Sequence, residues 1–122
     1  RVCEEVVRFI LNSPSLTLEF KKIRHGLDNT IEKLFPSKTN LILKRQANKD
    51  VGKVISEFEF RRKNILDVFC ANIQRVKESI RVLEEFSKLK ERKIALDFKK
   101  IRYLIYELEK KVITKIKAVY NS

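Results

Sequence analysis

Apolar residues recur every three or four positions along most of this chain, the spacing that puts side chains on one side of an α-helix. Val2, Val6, Phe9 and Ile10 form such a side in a first helix, Arg1 to Leu11. Asn12-Ser13-Pro14-Ser15 interrupts it, because the residue before a proline avoids the helical region. Phe20, Ile23, Leu27, Ile31 and Leu34 then mark a second helix from about Leu16 to Leu34. Phe35-Pro36 ends it, and Ser37 is placed to cap a shorter helix through about Lys44. Residues 46–52 carry no period and hold one of the chain's two glycines, which reads as a loop. After a further stretch, Lys53 to Phe60, a long helix is expected over Arg62 to Lys88, with Ile65, Phe69, Ile73, Val76, Ile80, Leu83 and Phe86 as its apolar face. The last helix is expected over Lys93 to Tyr120, with a stripe of Phe98, Ile101, Ile105, Leu108, Val112 and Ile116 that suits near-parallel packing.

The first and last thirds of this pattern match. Arg1-Val2-Cys3-Glu4-Glu5 returns as Arg81-Val82-Leu83-Glu84-Glu85, an offset of 80. Leu18-Glu19-Phe20-Lys21-Lys22-Ile23-Arg24 returns as Leu96-Asp97-Phe98-Lys99-Lys100-Ile101-Arg102, an offset of 78. Helix packing alone asks for Phe20 and Phe98, but not for the repeated Arg-Val-x-Glu-Glu or Lys-Lys-Ile-Arg. The expected fold is therefore all-α: a single domain, residues 1–122, made of two pseudo-symmetric αα-hairpins joined by a short helix and loop. The repeat units are about 1–34 and 62–120, with residues 35–61 as connector. By symmetry the first helix is expected to have an upstream stretch matching Cys70 to Ile80, and the sequence is expected to be a trimmed or partly disordered version of a longer chain.

Composition supports this reading. Two Gly and two Pro in 122 residues leave too few turn formers for an all-β fold. Residues that are 43% hydrophobic and 36% charged suit a water-soluble helical core. No apolar run approaches the roughly 20 residues that span a bilayer, and the first ten residues hold four charges, so a cytoplasmic location is expected. Cys3 and Cys70 read as buried free thiols in a reducing compartment, and a lone His with two scattered Cys gives no ligand spacing for a metal site. The net charge of +12 points to anionic partners or a well-solvated surface, and its Lys, Glu and Ile richness is also that of thermophile proteins.

Candidate chemistry lies on the third main helix. Asn72 falls within the apolar arc, Arg75 at its edge, and Glu78, Arg81 and Glu85 along the adjoining flank. An inward amide must be hydrogen-bonded, so the plain reading is a satisfied Asn or an Asn-Arg-Glu network between helices. The functional reading is a pocket where Arg grips a phosphate and Glu or Asn holds magnesium. Glu78, Arg81 and Glu85, like Glu4, Glu5 and Arg8, also have the spacing of surface ion pairs. Asp50-Val51-Gly52-Lys53 lacks the spacing of a Walker loop and reads as a turn with a metal-capable Asp.

These segments together resemble the non-ribokinase type of hydroxymethylpyrimidine-phosphate kinase, a small helical domain often fused in front of thiamine-phosphate synthase. The resemblance rests on Arg1-Val2-x-Glu4-Glu5-x-x-Arg8-Phe9, Arg24-His25, Asp50-Val51-Gly52, Arg61-Arg62 and the run Ala71-Asn72-x-x-Arg75-x-x-Glu78-x-x-Arg81-x-Leu83-Glu84-Glu85. It covers most of residues 1–89, the last run being the most specific. The family pattern also has an Asn-x-x-Arg stretch upstream of Arg1, outside this sequence. The resemblance implies transfer of the ATP γ-phosphate to hydroxymethylpyrimidine phosphate, with Mg2+ accompanying ATP. It implies catalytic roles for Arg75, Glu78 and Arg81. Substrate or phosphate contacts would fall to Asn72, Arg24, His25, Arg1, Arg8, Arg62 and Gly52, and metal contacts to Asp50, Glu85 and Glu5. ATP, the pyrimidine phosphate, a fused or associated synthase and a second copy of the chain are the expected partners. Two other readings stand beside it. One is a non-catalytic interaction or dimerisation domain built on the long last helix. The other is a nucleic-acid-binding module, disfavoured because the basic residues are interleaved with Glu and no helix-turn-helix is evident.

Overall fold

The structure, a computed structural model, describes residues 1–36 and 63–120. The helix expected from Ser37, the loop at 46–52, and Asp50, Gly52, Arg61 and Arg62 lie outside the described residues. Within them the chain is helical: α1 (Val2–Glu5) running into a π-helical turn (Val6–Ile10), α2 (Pro14–Leu34), α3 (Ile65–Ser87) and α4 (Arg92–Tyr120). The all-α expectation holds, and the main helices fall within three residues of their expected ends.

Local chemistry explains the boundaries. Ser13 caps α2, its hydroxyl accepting the Leu16 N–H, and Pro14 takes the first helical position where no N–H is required. Asn64 caps α3 by accepting the Asp67 N–H at 2.9 Å, and Asp67 in turn accepts the Lys63 N–H at 3.1 Å. Between α3 and α4, the Lys90 and Glu91 N–H groups both bond the Ser87 carbonyl. The Lys90 ammonium reaches across to the carbonyl of Leu34 at 2.9 Å, capping the end of α2 with a cation.

The two-residue difference in offset is absorbed at the first turn. There the Leu11 N–H reaches back five residues to Val6, the Ser13 N–H reaches back six to Val7, and Asn12 takes a left-handed φ of 53°. The apolar face expected for the first helix is corrected here. Cys3, Val6 and Val7 are buried, whereas Val2 is exposed, Phe9 is 68% exposed and Ile10 points partly outward. The π turn adds a residue to the winding and rotates the following side chains away from the core.

The helices pack as two hairpins. α3 lies along α4, α2 lies on α4, and α1 touches both α2 and α3. Phe69, Phe98, Ile73, Ile80, Ile105, Ile116, Val7 and Val112 form the fully buried centre. Phe20 meets Phe69 edge to face at 6.4 Å, a favoured aromatic geometry. Phe86, expected in this core, is 60% exposed; the inward line of α3 continues instead through Ile80, Glu84 and Ser87.

Candidate functional site

The polar residues of the repeat form the same clip in each hairpin. Arg24 donates from Nε to Glu4 Oε2 at 3.0 Å and from Nη2 to Oε1 at 3.5 Å. Arg102 donates from Nε to Glu84 Oε2 at 2.9 Å and from Nη2 to Oε1 at 3.4 Å. The match is atom for atom. Both carboxylates are buried, at 2% and 4% exposure, so each depends on its guanidinium fork. Burial by itself pushes the Glu4 carboxyl up, but the Arg24 hydrogen bonds and the charges of Arg24, Arg8 and Arg1 outweigh it and hold Glu4 below the usual carboxylate range. The hydrogen bonds that Arg102 donates to Glu84 and to the Tyr106 hydroxyl push Arg102 the other way, upward. The structure thus commits Arg24, expected to clamp a phosphate, to Glu4.

Beside the first clip lies an open cleft of about 310 Å³ where α1, α2 and the middle of α3 meet. Cys3, Leu27, Val76, Ile80 and Leu83 contribute an apolar lining, and Arg1, Asn72, Arg75 and Ser79 the polar part. The spacing of Asn72, Arg75 and Ser79, three and four apart, brings them onto one flank of α3. Asn72 is half-buried and donates one amide N–H to the Val68 carbonyl at 2.7 Å, which fixes its rotamer. Cys3 donates weakly to the Phe69 carbonyl at 4.0 Å, and burial pushes its thiol up to about 11. It is therefore a neutral lining group at neutral pH, not a nucleophile. Two cations and an amide over an apolar floor suit a small, flat ligand with an anionic substituent.

The remaining predicted residues lie elsewhere. Glu78 and Arg81 line a neighbouring groove with Gln74, Lys77, Val82 and Tyr106. There Glu78 accepts from Gln74 at 3.3 Å, and Arg81 pairs with Glu85 at 3.5 Å and Glu84 at 3.9 Å. Arg75 thus lines one cleft and Glu78 with Arg81 the next, although all three follow one another at three-residue steps along α3. Arg8 pairs with Glu4 at 3.3 Å and Glu5 at 3.8 Å. Glu85 pairs with Lys88 at 2.8 Å, and hydrogen bonding from that ammonium lowers its pKa. His25 is exposed on α2. Among the described residues no three His, Cys, Asp or Glu side chains cluster as a metal cage. Glu5 and Glu85, expected as metal ligands, each have a cation partner already.

Sequence reasoning passed over Glu84, Arg102 and Tyr106, and the Lys77–Glu109 bond at 2.9 Å. For the clips the signal was present: Glu4 with Arg24 and Glu84 with Arg102 are the acidic and basic members common to both repeats.

Fold and site together define a duplicated helical-hairpin domain with a small cationic cleft. The ThiD2 family model matches residues 1–111, and the chain belongs to the ThiD2 family. Among similar proteins, a thiamine-phosphate synthase of Nostoc punctiforme is 38% identical over 110 residues, covering 89% of this chain and 30% of that protein. A thiamine-phosphate synthase of Rhodopirellula baltica is 35% identical over 117 residues, covering 92% of this chain and 31% of its own length. One from Thermosynechococcus vestitus is 34% identical over 110 residues, again 30% of that protein. The chain spans about 30% of the length of these curated relatives. No solved structure matches it. Among the described residues no helix is long and apolar enough to cross a membrane.

Proposed function

We propose that this domain transfers the γ-phosphate of ATP to hydroxymethylpyrimidine phosphate, making the diphosphate that a thiamine-phosphate synthase would consume. The observation that carries the reading is the convergence of Arg1, Asn72 and Arg75 on one apolar cleft. A pyrimidine ring would lie on Val76, Ile80 and Leu83, Asn72 would orient it, and Arg75 with Arg1 would hold its phosphate. A substrate phosphate oxygen attacks the γ-phosphorus, the bond to the bridging β-oxygen breaks, and ADP leaves. Positioning and charge neutralisation carry most of such a reaction. Mg2+ bound with the nucleotide would spread the phosphate charge, with Glu5, Glu85 or Asp50 as protein carboxylates for it. At about 310 Å³ the cleft is at the small end of ligand pockets, so it takes the pyrimidine and not the nucleotide as well.

The test is ADP release by the full-length protein with Mg-ATP and hydroxymethylpyrimidine phosphate. Asn72→Ala and Arg75→Ala are expected to lower kcat/KM by about 10²-fold or more while the helical circular dichroism is kept. Arg81→Ala, in the neighbouring groove, is expected to cost less. A folded protein without turnover sinks the kinase reading; full activity in both cleft variants sinks the site assignment.

A further inference from the structure

The repeat relates cavities as well as side chains. One cleft at the first turn is lined by Arg8, Asn12, Ser13, Pro14, Thr17, Leu18 and Lys21, and has a volume of about 430 Å³. Another, at the second turn, is lined by Glu84, Lys88, Arg92, Ala95, Leu96 and Lys99, with the same volume of about 430 Å³. By the offsets of 80 and 78, Arg8 corresponds to Lys88, Pro14 to Arg92, Thr17 to Ala95, Leu18 to Leu96 and Lys21 to Lys99. The two are copies of one feature that have diverged in charge.

The divergence is directional. The first cleft holds two cations, and Arg8 is engaged by both Glu4 and Glu5. The second holds three. Its one acid, Glu84, has both oxygens bonded by Arg102, so it does little to neutralise them. Lys99 sits over the Tyr103 ring at 5.8 Å, and among the described residues neither Lys99 nor Arg92 forms an ion pair with a carboxylate. Lys88 alone has an acidic partner, Glu85, itself exposed and outside the cleft lining. Three like charges around one concavity repel unless an anion sits between them, and that anion gains from all three at once.

We infer that the Lys88–Arg92–Lys99 cleft binds a polyphosphate chain, either the triphosphate of a nucleotide or free inorganic polyphosphate. A single phosphate would use one or two of the cations; a chain uses all three. The cleft volume lies within the range of small-molecule sites and is too small for a folded nucleic acid. The inference concerns binding alone, so it stands or falls apart from the kinase reading.

Calorimetry on the full-length protein at fixed salt, without the pyrimidine substrate, tests it with ATP, inorganic tripolyphosphate and adenosine as separate ligands. Tripolyphosphate and ATP are expected to bind and to compete, and adenosine not to bind. Tighter ATP would assign the site to nucleotides, and equal affinities to the phosphate chain itself. Arg92→Gln and Lys99→Gln are each expected to weaken tripolyphosphate about tenfold, whereas Lys21→Gln, in the sister cleft, leaves it unchanged. These residues are exposed, and an unaltered melting curve confirms folding. Equal loss in Lys21→Gln would mean diffuse attraction to a chain of net charge +12 and would overturn the inference. So would unchanged affinity in Arg92→Gln and Lys99→Gln, or ATP binding that tripolyphosphate cannot displace.

Discussion

Glu84 and Arg102 show how much a single pair of polar residues decides in a small bundle. Both are buried, at 5% and 11% side-chain exposure, and the carboxylate accepts two guanidinium N–H bonds. Removing one partner strands the other's charge in the core, so Arg102→Ala is expected to cost about 3–5 kcal/mol in urea unfolding. Arg24 keeps 27% of its side chain exposed, so water can reach Glu4 once it is gone, and Arg24→Ala is expected to cost less, about 1–3 kcal/mol. Equal losses in the two variants would show that the clips are not graded by burial. Glu4 also sets a pH response. Its carboxyl titrates lower in the fold than in the unfolded chain, so the unfolded state binds the proton more readily as acid is added. Its contribution is therefore present above the ordinary value of 4.5 and is lost as pH falls through the lower folded value. Glu4→Gln is expected to be less stable than the parent at neutral pH and to lose less below that value, which unfolding midpoints across the pH range would show.

At the scale of elements, the first turn records the two-residue difference between the offsets of the two matched segments. Asn12 at φ 53° is the hinge, and Asn tolerates the left-handed region that a Cβ-bearing residue otherwise resists. Asn12→Ala is expected to lose about 1 kcal/mol, and Asn12→Gly to stay within about 0.5 kcal/mol of the parent. Calorimetric melting distinguishes them; a neutral Asn12→Ala would mean the turn relaxes into another form. Helix positions were legible because three-four spacing of apolar residues is a strong signal. Two faces were misread for separate reasons. The π turn changes the winding after Val6, so a fixed 100° step points Phe9 inward when it faces out. On α3 the inner line is occupied by Glu84 and Ser87, and an apolar stripe cannot mark a buried position that is polar. Ser87 is tolerated there because its hydroxyl donates to the Leu83 carbonyl at 2.6 Å.

For the whole molecule, the candidate cleft is a product of three helices. Exposed Val2 and Val82, Phe9 and Leu89, and Leu18 and Leu96 occupy equivalent positions in the two halves, so the outer surface is repeated as the core is. Phe69, fully buried and stacked edge-on against Phe20, joins the hairpins; Phe69→Ala is expected to lose about 3–5 kcal/mol and to open the floor near Cys3. Alkylation of Cys3 at neutral pH, slow in the parent, would then speed up, and mass spectrometry would follow it. By itself the sequence determined the helices, the duplication and which residues bear charge, because periodicity and repetition are local or pairwise along the chain. It also placed Asn72 and Arg75 on one flank of one helix. Only the tertiary structure decided that Arg1 joins them, that Glu78 and Arg81 face another groove, and that Arg24 is held by Glu4. Those outcomes depend on which helix faces which, and on the free energy of burying a charge only beside its partner.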